Sequence, residues 1–446
     1  MNLDQVHSVY FIGIGGIGMS ALARYFNANN VAVAGYDRVE TELTKKLVEA
    51  GVSVHYIDDV AEIKSEFLDK EHCLVVYTPA VPKGHKELVY FRKEGFSILK
   101  RAALLGLITK ESTCLAVAGT HGKTTTSTML GHVMEVCNTN ATSFLGGISE
   151  NYHSNLILGG TKVSVVEADE FDRSFLELSP DIACITSMDA DHLDIYGSAA
   201  ALVATFNQFA AKVSQVLIVK KGLPIHGLTY GIEEAADYSA INIKVINGKY
   251  QFDIRMPDAT VSDVQIHLPG RHNVLNSLAA FAMAHQYGIA PKDIVKAFLS
   301  FKGIERRFSY KIKKDNFVLI DDYAHHPTEI NAVADAVREM YPRKKIVAVF
   351  QPHLFSRTKD FSEDFAVALA RFDSLLLLDI YPARELPLEG ITSEWLLGKV
   401  KMDAKKLVSK DDLLKEIQKE AADVLIMMGA GDISVVIKSV VKALSV

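Results

Sequence analysis

The chain has 446 residues, about half of them apolar and 23% charged, so it reads as globular rather than disordered, with room for about three domains. The net charge is −6 and no block of Lys and Arg stands out, which excludes a nucleic-acid or membrane-surface footprint. No apolar run approaches the roughly 18 residues that span a bilayer, and Cys73, Cys114, Cys137 and Cys184 form no CxxC pair, so neither a disulfide framework nor a thiolate zinc site is expected.

The opening "MNLDQVHSVYFIGIGGIGMSALARYF" lacks a basic n-region and is read as a first strand and helix rather than a signal peptide. The expectation is a cytoplasmic α/β protein. Short runs rich in Val and Ile alternate with amphipathic stretches of helix length, the pattern of βαβ units around parallel sheets. "VYFIG", "VAVAGYD", "VSVHY" and "LVVYTPAVP" make up the first section. The second opens with "CLAVAGTHGKT" and continues through "VSVVEADE", "IACITSMDADHLD" and "VLIVKKG". A strand-rich insert, "INIKVINGKYQFDIRM", carries an Asn-Gly hairpin signal, and the helical "NVLNSLAAFAMAHQYG" closes the section. The third set is "FVLIDDYAHHP", "KIVAVFQPH", "SLLLLDIYPARE" and "DVLIMMGAGD". These runs end in polar residues or glycine, where α/β folds place ligands. Boundaries are placed near residues 108 and 304.

Two glycine loops ask for two phosphate groups. Gly13, Gly15 and Gly18, with Gly16 between them, fit G-x-G-x-x-G between a strand and a helix, where backbone N–H groups and the helix start receive a pyrophosphate. Asp37 follows the second strand at the spacing of the acidic residue that reads a ribose hydroxyl. NAD fits that description, and so does a UDP-sugar; a tight turn packing helix on strand gives the same pattern. The second loop, "AGTHGKTTT", contains Gly119, Thr120, His121, Gly122, Lys123, Thr124 and Thr125. A lysine there reaches β- and γ-phosphates and the following hydroxyl holds Mg²⁺. Val117 stands where the strict motif has its first glycine, yet the tighter loop still gathers N–H donors at the helix start. On this reading, one loop holds a diphosphate-bearing substrate and the other the triphosphate that is consumed.

These loops, with "EADEFDRSF", "DADHLDIYG", "GRHNVLNSLAA", "ERRF", "DDYAHHPTEI" and "FQPHLFSRT", resemble the Mur ligases, ATP-dependent amide-bond-forming enzymes of peptidoglycan synthesis. The resemblance covers the whole chain. Within the family, the N-terminal loop, "DDYAHHPTE" and "YPARE" are most similar to the branch that joins L-alanine to the carboxylate of UDP-N-acetylmuramate. It implies three α/β domains: a Rossmann-like domain for the UDP-sugar (1–108), a central P-loop ATPase-type parallel sheet (109–304) and a C-terminal Rossmann-like domain for the amino acid (305–446).

The reaction so implied activates a carboxylate as an acyl phosphate, which an amine then attacks. By resemblance, Lys123 contacts phosphates, and Thr124 and Glu167 ligate Mg²⁺ through oxygen. His192 matches a position that holds a second Mg²⁺, although imidazole is an unusual partner for that ion. The first lysine after it is Lys212, too distant to be the carbamylated lysine of sibling ligases. Asn273 and Asn276 fall near adenine and ribose, or Asn273 is a helix cap. Arg307 aligns with an arginine at the γ-phosphate, and Asp322 and Tyr323 lie by the nucleotide. His325, His353 and Arg357 fall nearer the incoming amino acid and the transferred phosphate, with Arg357 chosen to clamp the alanine carboxylate. No residue is nominated as the base for the amine. Competing readings are an NAD-dependent oxidoreductase, a nucleotide-gated binding protein, and the recycling ligase that attaches a peptide to the same sugar nucleotide.

Overall fold

A computed structural model describes residues 3–189, 196–246, 248–383 and 385–445. Its backbone divides into two compact units. One holds Met1–Ile241, Asp253–Ser262 and Leu275–Phe301; the other holds Asn242–Phe252, Asp263–Val274 and Lys302–Val446.

The first unit begins with β1 (Ser8–Ile12), α1 (Ile17–Ala28), β2 (Ala32–Tyr36), α2 (Glu42–Glu49), β3 (Ser53–His55), β4 (Cys73–Tyr77), α3 (Lys86–Glu94), β5 (Ser97–Lys100) and α4 (Arg101–Lys110). The strands pair in parallel in the order β3-β2-β1-β4-β5. Every residue of β1 is buried, because helices cover both faces of a parallel sheet. Val9 and Phe11 enter one apolar cluster and Tyr10 and Ile12 another. The chain reverses its winding between β1 and β4, so the loops leaving these two strands bound the crevice where such sheets take ligands. A capping box between Thr41 and Thr44 starts α2.

There follow β6 (Thr113–Ala118), α5 (Lys123–Val136), β7 (Thr142–Ser149), β8 (Ser154–Ile157), β9 (Val163–Ala168), β10 (Ile182–Ile185), α6 (Ala199–Ala210), β11 (Val216–Lys220), β12 (Leu228–Ile232) and β13 (Tyr238–Ile246). Their order is β8-β7-β9-β6-β10-β11-β12-β13, parallel except for β8. The central strand β6 feeds the second glycine loop, and the loops after β9 and β10 flank it. Next come β14 (Lys249–Arg255), β15 (Thr260–Ile266), α7 (Arg271–Tyr287) and α8 (Pro291–Phe298).

In the second unit, β16 (Ser309–Lys313), β17 (Val318–Asp322), α9 (Pro327–Met340), β18 (Ile346–Phe350), α10 (Phe355–Asp360), α11 (Ser362–Leu369), β19 (Ser374–Leu377), α12 (Ser393–Lys399), β20 (Lys405–Leu407), α13 (Leu413–Lys419), β21 (Val424–Met428) and α14 (Ile433–Leu444) build a third sheet. Its order is β16-β17-β21-β18-β19-β20, with only β16 antiparallel. Apolar clusters lie on both faces, and the polar residues that end β17 and follow β18 lie at the carboxyl end of the sheet. Among the described residues no helix is long and apolar enough to cross a membrane.

Candidate active site

The first glycine loop is held by its own backbone and by Asp37. The N–H groups of Gly13 and Ile14 donate to the Tyr36 carbonyl at 2.8 and 3.0 Å, and that of Gly15 donates to Asp37 Oδ2 at 2.7 Å. Asp37 therefore orders the loop from the end of β2, whatever else its carboxylate meets. Gly13 has φ +87°, and a Cβ there would fall 2.7 Å from Thr78 Cγ2 in the loop after β4. A Cβ on Gly18 would lie 2.9 Å from Arg101 Nη1. Arg101, paired with Asp169 at 3.5 Å, thus brings a guanidinium to the start of α1. Sequence reading passed over it because its proximity to the loop comes from folding and not from a motif.

The second loop is a tight structure on positive-φ glycines, Gly119 (+134°) and Gly122 (+82°). A Cβ at Gly119 would overlap Thr186, and one at Gly122 would lie 2.6 Å from Asn276 Oδ1. The loop is tied down from β10: Thr120 N donates to the Ser187 carbonyl at 3.2 Å, and His121 N donates to Ser187 Oγ at 2.7 Å. Thr124 and Thr125 lie buried in the first turn of α5. Lys123 Nζ donates to the Gly119 carbonyl at 2.6 Å and to Glu170 Oε1 at 2.9 Å, with Glu170 Oε2 at 2.7 Å. Burial works against its charge, but Glu170, Asp169 and Glu167 together outweigh this and hold the ammonium above its ordinary pKa.

Glu167 sits on β9 opposite Val117 of β6, one strand from the loop. A Cβ on Gly146 would fall 2.0 Å from Glu167 Oε2, so the carboxylate packs directly against that glycine. The segment after it carries two consecutive non-glycine residues at positive φ, Asp172 and Arg173, and Phe175 N returns to the Asp169 carbonyl at 2.9 Å. Glu170, just before this bend, is 1% exposed and meets Lys123. His192 lies outside the described residues. Asn276, from α7, accepts from Thr126 Oγ1 at 3.4 Å, beside the loop.

In the second unit, Asn273 lies in the first turn of α7, and its Nδ2 donates to the Pro269 carbonyl at 2.6 Å. It donates from inside the helix, so it is not the accepting N-cap. Asp322 ends β17, and its two oxygens accept from the N–H groups of Phe308 and Ala324, each at 2.7 Å. Burial nevertheless raises its pKa to about 6, against the pull of Arg307 and these two bonds. The guanidinium carbons of Arg306 and Arg307 lie 4.9 and 5.2 Å from the centre of the Tyr323 ring. Edge-to-face contacts link Tyr323 to His325 (5.1 Å) and His325 to His353 (6.1 Å), and His353 stacks on Tyr381 (5.7 Å).

Arg357 is buried in α10, directly after Leu354, which is held at φ +71°. Tyr381 and Glu385 brace this turn. Leu354 N donates to the Tyr381 carbonyl at 2.9 Å, Tyr381 N donates to the Pro352 carbonyl at 2.8 Å, and Ser356 N donates to Glu385 Oε2 at 3.0 Å. "YPARE" was noted in the sequence without a task; its Tyr381 and Glu385 hold the loop that carries His353 and Arg357. Glu329 was also missed, although it stands four residues after His325.

The first unit therefore offers two ordered glycine loops between strand and helix, one of them with a fixed lysine. The second offers a histidine and arginine cluster at the carboxyl ends of β17 and β18. Residues 8–113 match the Mur ligase family catalytic domain, 117–284 the Mur ligase middle domain, and 306–431 the Mur ligase glutamate ligase domain. The chain is 57% identical to UDP-N-acetylmuramate–L-alanine ligase of Christiangramia forsetii over 99% of both chains. It is 55% identical to that of Flavobacterium psychrophilum, over 100% of this chain and 99% of the relative. Among solved structures, UDP-N-acetylmuramate-alanine ligase MurC from Thermotoga maritima superposes with a TM-score of 0.85 at 28% identity, covering 98% of this chain and 99% of its own. A murein peptide ligase from Psychrobacter arcticus, 23% identical with a TM-score of 0.72 and 98% of each chain covered, shares the fold. The chain belongs to the Mur ligase family.

Proposed function

We infer that this protein joins L-alanine to the carboxylate of UDP-N-acetylmuramate at the expense of ATP, a step of peptidoglycan precursor synthesis in the cytoplasm. The observation that carries the reading is the pair of ordered glycine loops, only the second with a lysine, in a chain 57% identical to an L-alanine-adding ligase. We assign the sugar nucleotide to residues 1–108, ATP to 109–304 and the amino acid to 305–446.

Phosphoryl transfer asks a protein for positioning and for neutralisation of charge. Lys123 meets the phosphates and the N–H groups at the start of α5 cradle them; Arg307 is assigned to the γ-phosphate by the family pattern. The Thr124 hydroxyl and the Glu167 carboxylate form an all-oxygen donor set beside the loop, which suits Mg²⁺. Electrostatic coupling of Glu167 to Lys123 supports placing that carboxylate at the phosphates. Mg²⁺ held by Thr124 and Glu167 would supply positive charge against the charge developing on the transferred phosphoryl group. Arg357 clamps the alanine carboxylate with a planar fork, and His353 and His325 line the same pocket.

The test is release of phosphate by the purified protein with ATP, UDP-N-acetylmuramate and one acceptor at a time. L-Alanine supports turnover on this reading. Turnover with a peptide acceptor and none with alanine would replace it with the recycling reaction.

A further inference from the structure

Glu329 stands in the first turn of α9, four residues after His325. Its Oε2 accepts from the His325 backbone N–H at 2.9 Å and lies 3.2 Å from His325 Nδ1. The same Nδ1 lies 2.9 Å from the Tyr323 carbonyl oxygen. An ionised carboxylate and a carbonyl can only accept, so the hydrogen between them belongs to Nδ1. Burial opposes a second proton on the ring. It holds His325 below its ordinary pKa, with Arg357 and Arg307 acting in the same direction and Glu329 opposing them. The lone pair of the neutral ring is then on Nε2. The ring is packed by Tyr323 and His353, so among the described residues Glu329, Arg357, Arg307, Tyr323 and His353 are the charged and titratable groups that face it.

We propose that His325 Nε2 takes the ammonium proton of the acceptor amino acid, and that Glu329 is the positioning residue that fixes Nδ1 as the donor and balances the imidazolium. The proposal rests on the ligase reading. An amino acid arrives mostly as its ammonium form, which has no lone pair to attack with. One proton passes from that nitrogen to Nε2. The freed lone pair attacks the carbonyl carbon of the acyl phosphate and a C–N bond forms. The bond from that carbon to the bridging oxygen breaks, and phosphate leaves with that oxygen and the electron pair and takes the second nitrogen proton as HPO₄²⁻. His325 then returns its proton to solvent. No oxidation state changes. The orientation follows the logic by which a buried carboxylate sets the tautomer of a catalytic imidazole. The other oxygen of Glu329 lies 3.7 Å from Arg307 Nη1, so one carboxylate touches both the proposed base and the arginine assigned to the γ-phosphate.

The experiment is nitrogen NMR of the full chain labelled in histidine, for the unaltered protein, Glu329→Gln and Glu329→Asp, beside alanine-dependent phosphate release across pH. His325 should show protonated Nδ1 and unprotonated Nε2 at neutral pH. Glu329→Gln keeps an accepting oxygen but loses the charge, so the His325 pKa should fall by about one unit or more. The acidic limb of the rate profile should move down with it, while kcat falls about tenfold or more and the KM for ATP changes less. Glu329→Asp, which keeps the charge, should restore part of both and controls for misfolding of the amide variant. A protonated Nε2 in an active enzyme, or an unmoved His325 titration in a folded Glu329→Gln protein, overturns the proposal alone. Absence of alanine-dependent phosphate release from the unaltered protein overturns the ligase reading and the proposal together.

Discussion

Both carboxylate oxygens of Glu170 lie within 2.9 Å of the Lys123 ammonium, which also donates to the Gly119 carbonyl. The lysine is thus aimed by a carboxylate that is itself almost wholly buried. Removing one partner of such a pair costs about 3–5 kcal/mol, because the other charge stays buried. Lys123→Ala should therefore lose both turnover and stability. Lys123→Ala combined with Glu170→Gln should recover much of the stability and none of the turnover. Urea unfolding of the single and double variants measures the first effect. UDP-sugar binding, assigned to the other glycine loop, should persist in both.

Glu167 and Gly146 give a paired prediction. Glu167→Gln keeps an oxygen but removes a charge, and should cut turnover roughly a hundredfold or more while ATP affinity stays within about an order of magnitude. Gly146→Ala leaves Glu167 in the sequence but places a methyl 2.0 Å from Oε2, so the carboxylate must move. It should reproduce the Glu167→Gln defect, with the same dependence on Mg²⁺ concentration. Normal turnover of Gly146→Ala at limiting Mg²⁺ would separate Glu167 from the metal.

Asp37 orders the first loop through the Gly15 amide. Asp37→Ala should raise the KM for UDP-N-acetylmuramate about tenfold, the order expected when a charged acceptor is taken from a backbone donor. The KM for ATP should stay nearly constant. Equal rises in both constants would mean a general loss of structure.

Asp322 gives a pH dependence with a definite sign. Its carboxyl is held at about 6, above the ordinary value of 3.8, so the folded chain binds a proton that the unfolded chain has released between those values. Stability therefore falls as pH rises through that window, by about 3 kcal/mol for two units at roughly 1.4 kcal/mol each. The loss is complete above the folded value. Asp322→Asn lacks this titration, so the stability of the unaltered protein relative to Asp322→Asn should decline between pH 4 and about 6.5. A flat difference would contradict the burial argument.

Arg357→Lys should raise the KM for alanine, because a point charge cannot reproduce a two-pronged contact. If the KM for ATP rises instead, Arg357 belongs to the phosphates.

The features readable in the sequence were those fixed by local steric rules. The glycine spacing at 13–18 and 119–122 requires tight turns between strand and helix, and both turns are there. Alternating apolar runs gave the parallel sheets for the same reason. Contacts between distant segments left no such trace. The Glu170 contact to Lys123 joins residues 47 apart in the chain. The Asp37 contact with Gly15 spans two strands, and the brace on Leu354 comes from Tyr381. Glu329 was the exception: its i,i+4 spacing from His325 was visible, but only across a helix start whose cap is His326.

The central claim is that the sugar carboxylate attacks ATP before the amine attacks the carboxyl carbon. It is tested by turning over UDP-N-acetylmuramate labelled with ¹⁸O in its carboxylate, with ATP and L-alanine, and weighing the released phosphate. The account predicts that the oxygen bonded to phosphorus in the intermediate leaves with it, so each phosphate carries a single ¹⁸O. Unlabelled phosphate formed alongside the alanine-linked product would contradict it.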